Sequence, residues 1–174
     1  MKNPLCSKEP LVFDRDMRDV YDLMLCKLSG LYYPPEMPRK ARLNAPGAVH
    51  HIIIRGIERR QIFRKDPDRV DLIQRLGRLL SETRTECFAW ALIPNHADFL
   101  LSTGLLSIAA MMRRILTEYA VSFNNRNRRH RKLFQSRYKS ILCQEDLYLK
   151  ELVRYIHLNP LRAGLVNDLK VLHW

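Results

Sequence analysis

Residues 87–102 have the sequence CFAWALIPNHADFLLS, and this stretch decides the fold. The continuous apolar run over residues 87–93 has the length and composition of a buried strand. Pro94-Asn95 interrupts the run, because both residue types favour a turn, and a second apolar stretch follows over residues 96–102. The sequence therefore predicts a β-hairpin made of two neighbouring strands.

The segments on either side of this hairpin alternate between strand and helix patterns. Residues 49–55 are β-rich and end at Gly56, which predicts a strand, and Asp66 before Pro67 is typical of a helix start, with Asp66 as the N-cap. The full prediction is a strand over 49–55, a helix over 66–83, the hairpin, a helix capped by Ser107, a strand over 137–143, and a helix over 145–159 stopped by Pro160. This order predicts an α+β fold, a ferredoxin-like antiparallel sheet with two helices on one face plus a C-terminal helix.

Residues 1–36 differ from the rest of the chain and predict an N-terminal extension. Apolar residues recur at helical spacing over residues 12–28, which indicates a short amphipathic helix followed by a proline-rich linker. These first 36 residues carry five basic and six acidic groups, a net charge of −1, whereas the remainder carries 25 basic and 12 acidic groups, a net charge of +13. We therefore place a boundary at Met37, with residues 37–174 as the functional domain.

The positive charge of residues 37–174 indicates a polyanionic partner. The whole chain has a formal net charge of +12 at pH 7. A basic domain attracts nucleic acid through long-range steering and through the release of counterions from phosphates. A membrane surface fits less well, because the charges do not lie opposite a broad apolar helix face. DNA or RNA is therefore the expected partner.

The densest basic block is NRNRRHRK, residues 125–132. A run of this kind is about as often a solvated helix end as a binding surface, but the charge of the whole segment favours nucleic acid. The predicted DNA-binding side chains are those of Arg126, Arg128, Arg129, Arg131, Lys132, Arg137 and Lys139.

The cysteine pattern and the absence of long apolar runs indicate a cytoplasmic protein. The four cysteines are widely scattered, without the paired spacing of zinc or redox sites. No apolar run approaches the roughly 20 residues that a membrane span needs, and the first residues lack the apolar stretch of a signal peptide. We expect reduced thiols and a location at the nucleoid.

A possible metal site follows the turn of the hairpin. Residues i and i+2 of a strand point to the same face, so His96 and Asp98 are expected to project together. An imidazole beside a carboxylate suits Mg²⁺ or Mn²⁺. For an isolated His-x-Asp, a turn residue followed by an exposed polar residue is the more frequent explanation.

A possible nucleophile lies in the last predicted helix. Tyr155 and Asn159 are separated by four residues and are therefore neighbours on one helix face. A phenol can attack phosphorus when a metal polarises the phosphate, and the Asn159 amide oxygen is a neutral metal ligand. Helical spacing by itself equally describes a tyrosine of the hydrophobic core.

Four segments occur in an order that resembles a known family. They are PGAVHH (46–51) with Arg55-Gly56, PNH (94–96), LFQSRYKS (133–140) and RYIHLNPLRAGLV (154–166). Together they resemble the REP-associated tyrosine transposases, the single-tyrosine branch of the HUH endonucleases. The resemblance covers the chain from about Met37 to Leu169.

The resemblance implies a mechanism and a role for each residue. A single strand containing a hairpin binds the basic surface, and a divalent metal, Mg²⁺ or Mn²⁺, contacts the scissile phosphate. The family tyrosine then forms a 5′-phosphotyrosine link and leaves a free 3′-hydroxyl. By position, Tyr155 corresponds to the nucleophile, His96 to the first metal ligand, and Asn159 to the third metal contact. The protein is expected to act as a monomer or a homodimer.

The family's most diagnostic triplet is altered in this chain. The family has His, a bulky apolar residue and His, whereas this chain has His96, Ala97 and Asp98. Either Asp98 is a metal ligand in an altered site, or cleavage has been lost and binding of DNA hairpins retained. Whether the chain is an enzyme is therefore left open. An RNA-binding ferredoxin-like module ranks below both, since the predicted strands lack the aromatic spacing of that class.

Overall fold

The computed structural model describes residues 45–143 and 146–168, with the backbone alone for residues 146–148. The chain divides into two units, Met1–Ala41 and Arg42–Trp174, and every described residue belongs to the second unit. The predicted extension, its helix over residues 12–28 and the boundary at Met37 lie outside the described residues.

An antiparallel sheet of four strands forms the centre of the described domain. The strands are β1 (Val49–Arg55), β2 (Cys87–Ile93), β3 (His96–Ser102) and β4 (Lys139–Cys143), in the spatial order β2-β3-β1-β4. The predicted hairpin is confirmed, since β2 and β3 pair on either side of the Pro94-Asn95 turn. Strand β1 lies between β3 and β4 and is therefore covered on both edges.

Three α-helices of the described residues accompany the sheet: α1 (Asp66–Thr83), α2 (Ile108–Arg126) and α3 (Asp146–Arg162). Ser107 caps α2 as predicted, because its side chain accepts a hydrogen bond from the Ala110 N–H at 3.2 Å. The prediction of Asp66 as the cap of α1 is wrong, since the helix begins at Asp66 itself. The Asp68 carboxylate accepts the Arg64 and Lys65 N–H groups instead, at 2.9 and 3.2 Å. None of the described helices is long and apolar enough to cross a lipid bilayer.

The two faces of the sheet have separate apolar cores. On one face, α1 and α2 pack against alternate strand residues such as Ile52 and Phe99, and these side chains are fully buried. On the other face, Leu152 and Ile156 of α3 pack against Leu100. The predicted fold class is confirmed, with two helices on one face and the tyrosine-bearing helix α3 on the other.

The end of α3 lies beyond its predicted position. The helix continues through Pro160 to Arg162, although proline was expected to stop it at Asn159. Proline removes one backbone donor, but in the last turn this loss affects a single hydrogen bond. The chain leaves the helix at Gly164, which has a φ of +67°, a conformation that glycine adopts without a steric penalty.

Strand β4 is shorter than predicted, beginning at Lys139 instead of Arg137. The residues before it follow an irregular path because two of their side chains enter the core. Phe134 forms an isolated bridge with Gly56 and is buried, and Tyr138 is buried as well. Arg137 lies between them in the sequence and is exposed.

Candidate functional site

The hairpin turn at Pro94-Asn95 is fixed by the segment that follows β1. The Gly56 N–H donates to the Asn95 carbonyl at 2.9 Å, and the Ile62 N–H donates to the Pro94 carbonyl at 2.7 Å. Only glycine fits at position 56, because a Cβ there would lie 1.9 Å from the carbonyl oxygen of Arg60. The first residue of β3, His96, is therefore held in a defined position.

Strand pairing collects a group of polar side chains on the face that carries α3. Alternation places His96, Asp98 and Leu100 of β3 on this face, and their partners across the ladder in β1 are Arg55, Ile53 and His51. Helix α3 covers the same face. The site thus combines residues of two strands and one helix.

Asp98 is the centre of this group. Its carboxylate accepts a hydrogen bond from Asn159 Nδ2 at 2.8 Å through Oδ2, and His51 Nε2 lies 3.0 Å from Oδ1. The side chains of Asp98 and His51 are both fully buried. A buried carboxylate without partners would be strongly destabilising, and these contacts satisfy both oxygens. Together, His51, Asp98 and Asn159 tie β1, β3 and α3 to one another, and we refer to them as the Asp98 triad.

His96 lies at the accessible side of the triad, with 15% of its side chain exposed. Its Nδ1 is 2.6 Å from the Asn95 amide oxygen, and because that oxygen can only accept, Nδ1 carries the hydrogen. Burial lowers the pKa of His96 below its ordinary value, the Asp98 charge raises it in part, and the Arg55 charge lowers it. The ring is therefore neutral near pH 7, with a lone pair on Nε2.

Two of the three predicted metal ligands, His96 and Asn159, lie close to an oxygen of the third, Asp98 Oδ2. His96 Nε2 is 3.7 Å from this oxygen, and Asn159 Nδ2 is 2.8 Å from it. The His96 lone pair and the Asp98 carboxylate could contribute to holding a cation, and these donor types suit Mg²⁺ or Mn²⁺.

Ligation by Asn159 requires one change, because its amide nitrogen and not its oxygen points at Asp98. A half-turn of the carboxamide would present the oxygen. In the described parts of the chain, no three His, Cys, Asp or Glu side chains form a group that could hold a metal ion. The candidate site offers two such side chains and an amide, so it fits a divalent ion after this rearrangement.

Ala97 takes no part in this group. It points to the opposite face of the sheet, where it is fully buried in the core shared with α1 and α2. The two changes in the triplet therefore act on different faces. Asp98 alters the chemistry of the candidate metal site, and Ala97 alters core packing.

Tyr155 lies one helical turn before Asn159 on α3. Its half-buried side chain packs against the apolar cluster that contains Leu152 and Ile156. The guanidinium carbon of Arg162 is 5.0 Å from the centre of its ring, which is within the range of a cation–π contact. The assignment of Tyr155 as nucleophile stays a prediction, and helix geometry places it beside one of the three candidate ligands.

The predicted DNA-binding residues fall into two groups. Arg126 is bound within the protein, since its guanidinium contacts the carboxylates of Asp68 at 3.0 Å and Asp71 at 2.9 Å. Arg129 is half-buried, with its guanidinium 5.7 Å from the centre of the Phe123 ring. The remaining five are exposed, namely Arg128, Arg131, Lys132, Arg137 and Lys139.

Some of these residues border a groove between α2 and residues 131–138. The groove encloses about 680 Å³, with apolar side chains such as Leu116 and Phe134 in its lining. Four cations contribute to it, namely Arg113, Arg131, Lys132 and Arg137. Leu116 and Phe134 belong to the core formed with α1 and α2, so this basic groove lies on the side of the sheet opposite the Asp98 triad.

Sequence reasoning missed His51, Arg55 and Arg113. His51 and Arg55 occupy alternate positions of β1, and that spacing places them on one face. Only the pairing of β1 with β3 places Arg55 opposite His96 and lets His51 reach Asp98 diagonally across the two strands. Arg113 belongs to a helix outside the basic block, and no local signal distinguishes it.

The comparison with protein families decides the class of the protein. Residues 46–159, well over half of the chain, match the family described as IS200-like transposases. The chain belongs to this family. The transposase family expected from the sequence motifs is thereby confirmed, and the matched range contains every residue of the candidate site.

A solved structure shows that the fold of this transposase is shared. It superposes on a REP-associated tyrosine transposase bound to a REP hairpin with a TM-score of 0.63 and 17% sequence identity, covering 79% of this chain and 81% of the other. A candidate transposase from Deinococcus radiodurans gives a TM-score of 0.47 with 16% identity, covering 68% and 95% of the two chains. No curated protein matches the chain.

Proposed function

We propose that this transposase binds hairpin-forming single-stranded DNA, then cleaves and rejoins it through a 5′-phosphotyrosine intermediate at Tyr155. The observation that carries the proposal is that the side chains of His96 and Asn159 both lie close to Asp98 Oδ2. Tyr155 is one turn away from Asn159 on the same helix. The likeness to a relative that is bound to a REP hairpin supports hairpin DNA as the partner.

The proposed reaction exchanges one phosphodiester bond for another. The Tyr155 oxygen bonds to phosphorus and loses its proton, while the bond from phosphorus to the 3′ oxygen breaks and that oxygen gains a proton. His96, Asp98 and Asn159 would hold a divalent ion, Mg²⁺ or Mn²⁺, which supplies Lewis-acid polarisation of the phosphate when bound. The phosphotyrosine ester retains the free energy of the phosphodiester bond that it replaces. A free 3′-hydroxyl can therefore attack the phosphotyrosine, reverse the reaction and rejoin the DNA.

The residues of the site and of the basic surface have separate roles in this chemistry. Packing against the apolar cluster of α3 holds the Tyr155 ring. His51 holds Oδ1 of Asp98 and leaves Oδ2 directed to His96 and Asn159. The neutral His96 ring offers its Nε2 lone pair. The exposed cations of residues 128–139 attract the DNA, and we place this activity in the cytoplasm, at the nucleoid.

The first prediction is a covalent protein–DNA adduct. Purified transposase mixed with Mg²⁺ or Mn²⁺ and an oligonucleotide containing a hairpin and single-stranded flanks should give a band of reduced mobility on a denaturing gel. A chelator should remove the band, because the proposed attack needs a polarised phosphate. The same oligonucleotide without the hairpin serves as the control for substrate class.

A second candidate is a DNA-hairpin-binding protein that does not cleave. It is favoured by one observation: both oxygens of Asp98 already have partners within a fully buried cluster. The Asp98→His variant separates the candidates. An adduct with the natural protein supports the transposase activity. An adduct that appears only with Asp98→His assigns the natural chain to hairpin binding, and no adduct with either refutes cleavage.

The second prediction concerns the basic groove. Replacing Arg131, Lys132 and Arg137 together by Ala should weaken hairpin binding and reduce the slope of log K against log salt by roughly 2, at about 0.7 to 0.9 for each lost phosphate contact. Filter binding or fluorescence anisotropy across a salt series in chelator measures the slope without cleavage.

A suitable control is Arg84→Asn. Arg84 is an exposed cation at the end of α1 with a φ of 49°, and asparagine tolerates this conformation. A slope that is unchanged in the triple variant would show that the groove does not contact phosphate.

A further inference from the structure

Arg55, the last residue of β1, is a cation beside the candidate site. It pairs with His96 across the ladder of β1 and β3, and strand alternation puts it on the face of Asp98 and His51. The side chain is half-buried, so it is partly accessible from solvent.

Arg55 differs from the ion-paired arginines of the domain because no carboxylate of the described residues neutralises it. Arg75, Arg114 and Arg126 each contact acidic side chains within 3.2 Å. Among residues 45–143 and 146–168, no side-chain hydrogen bond or ion pair to the Arg55 guanidinium occurs. The acidic group nearest in the register, Asp98, is fully buried and is already bonded to His51 and Asn159.

A half-buried guanidinium without an anion among the described residues has unused binding capacity. It carries five N–H donors in a planar arrangement that matches two oxygens of a phosphate group. Charge-assisted bonds of this kind are about twice as strong as neutral ones. The position next to His96 also places the cation at the accessible side of the Asp98 triad, where an incoming DNA strand would present its phosphates.

We propose that Arg55 binds a backbone phosphate of the single-stranded DNA at the site, next to the phosphate that Tyr155 attacks or at that phosphate itself. This inference rests on the proposed function for the identity of the ligand, a DNA phosphodiester. It assigns to Arg55 a contact that does not require the metal, in contrast to the roles of His96, Asp98 and Asn159.

The test measures binding and cleavage separately. Binding of the hairpin oligonucleotide is followed in chelator across a salt series for the natural protein, Arg55→Gln, Arg55→Lys and the distant control Arg84→Asn. Loss of one single-strand phosphate contact should lower the salt slope of Arg55→Gln by about 0.7 and weaken binding several-fold. Arg55→Lys should keep the slope and lose part of the affinity, because lysine retains the charge without the planar pair of donors.

A side-chain readout reports on the contact itself. In the NMR spectrum of ¹⁵N-labelled protein, the Arg55 Nε–Hε signal is the one that disappears in Arg55→Lys. This signal should shift when the oligonucleotide is added. Unchanged slope and affinity in Arg55→Gln, or a signal that does not move, would overturn the inference even if the natural protein forms the adduct. If the slope falls and the signal shifts while no adduct forms, the phosphate contact stands and the proposed cleavage fails.

Discussion

Tyr155→Phe is expected to abolish the covalent adduct with hairpin DNA, with a loss of at least about 1,000-fold in the rate of its formation, as is usual when a nucleophile is removed. The substitution deletes one oxygen and leaves the aromatic ring. The ring therefore keeps its packing against the α3 cluster and its contact with Arg162. The measurement is single-turnover adduct formation on denaturing gels with saturating protein.

The matched control is Tyr148→Phe, which removes a tyrosine hydroxyl from the same helix two turns earlier. This variant should form the adduct at the natural rate. The hairpin affinity of Tyr155→Phe in chelator should be unchanged, since the lost atom acts in the reaction and not in the basic groove. An adduct that survives in Tyr155→Phe would show that another residue is the nucleophile.

His51→Ala is expected to lower the free energy of unfolding by about 3 kcal/mol, the typical cost of leaving a buried carboxylate oxygen without its hydrogen-bond donor. The substitution leaves Oδ1 of a fully buried Asp98 without the donor now 3.0 Å away. Because the Asp98 triad joins β1, β3 and α3, the loss should reduce the stability of the whole domain. Urea unfolding followed by circular dichroism measures the effect.

A double-mutant cycle separates the hydrogen bond from the loss of packing. In the background of Asp98→Ala, His51→Ala should lower the free energy of unfolding much less than it does in the natural protein, because no unpaired carboxylate is left behind. Equal costs in the two backgrounds would mean that the two side chains are not energetically coupled. His51→Gln, which keeps an N–H donor, should retain more stability than His51→Ala.

The fold was largely accessible from the sequence because hydrophobic periodicity and turn residues are local signals. The hairpin around Pro94 and the helix capped by Ser107 follow from neighbouring residues. The wrong predictions concern the first and last residues of helices and strands, where competing local interactions differ by small free energies. Pro160 is tolerated in the last turn of α3 because only one hydrogen bond is lost there, and Asp68 takes the capping role expected of Asp66.

The candidate site was accessible only in part. His96 and Asp98 share a strand, and Tyr155 and Asn159 share a helix, so each pair follows from periodicity. Their meeting at Asp98 Oδ2 is a tertiary contact that no local pattern encodes. The same holds for His51, which needs the pairing register. It also holds for Arg126, whose charge is matched by Asp68, 58 residues away in the sequence.

The position of the basic groove and the Asp98 triad on opposite sides of one sheet has an evolutionary consequence. A substitution in either location leaves the side chains of the other in place, so under the proposed function recognition and catalysis can be inherited, lost or improved separately. A gene copy that loses its chemistry while keeping the groove would still occupy the same hairpins. Under the proposed function, such a copy would compete with active copies for the same DNA hairpins and so restrain them.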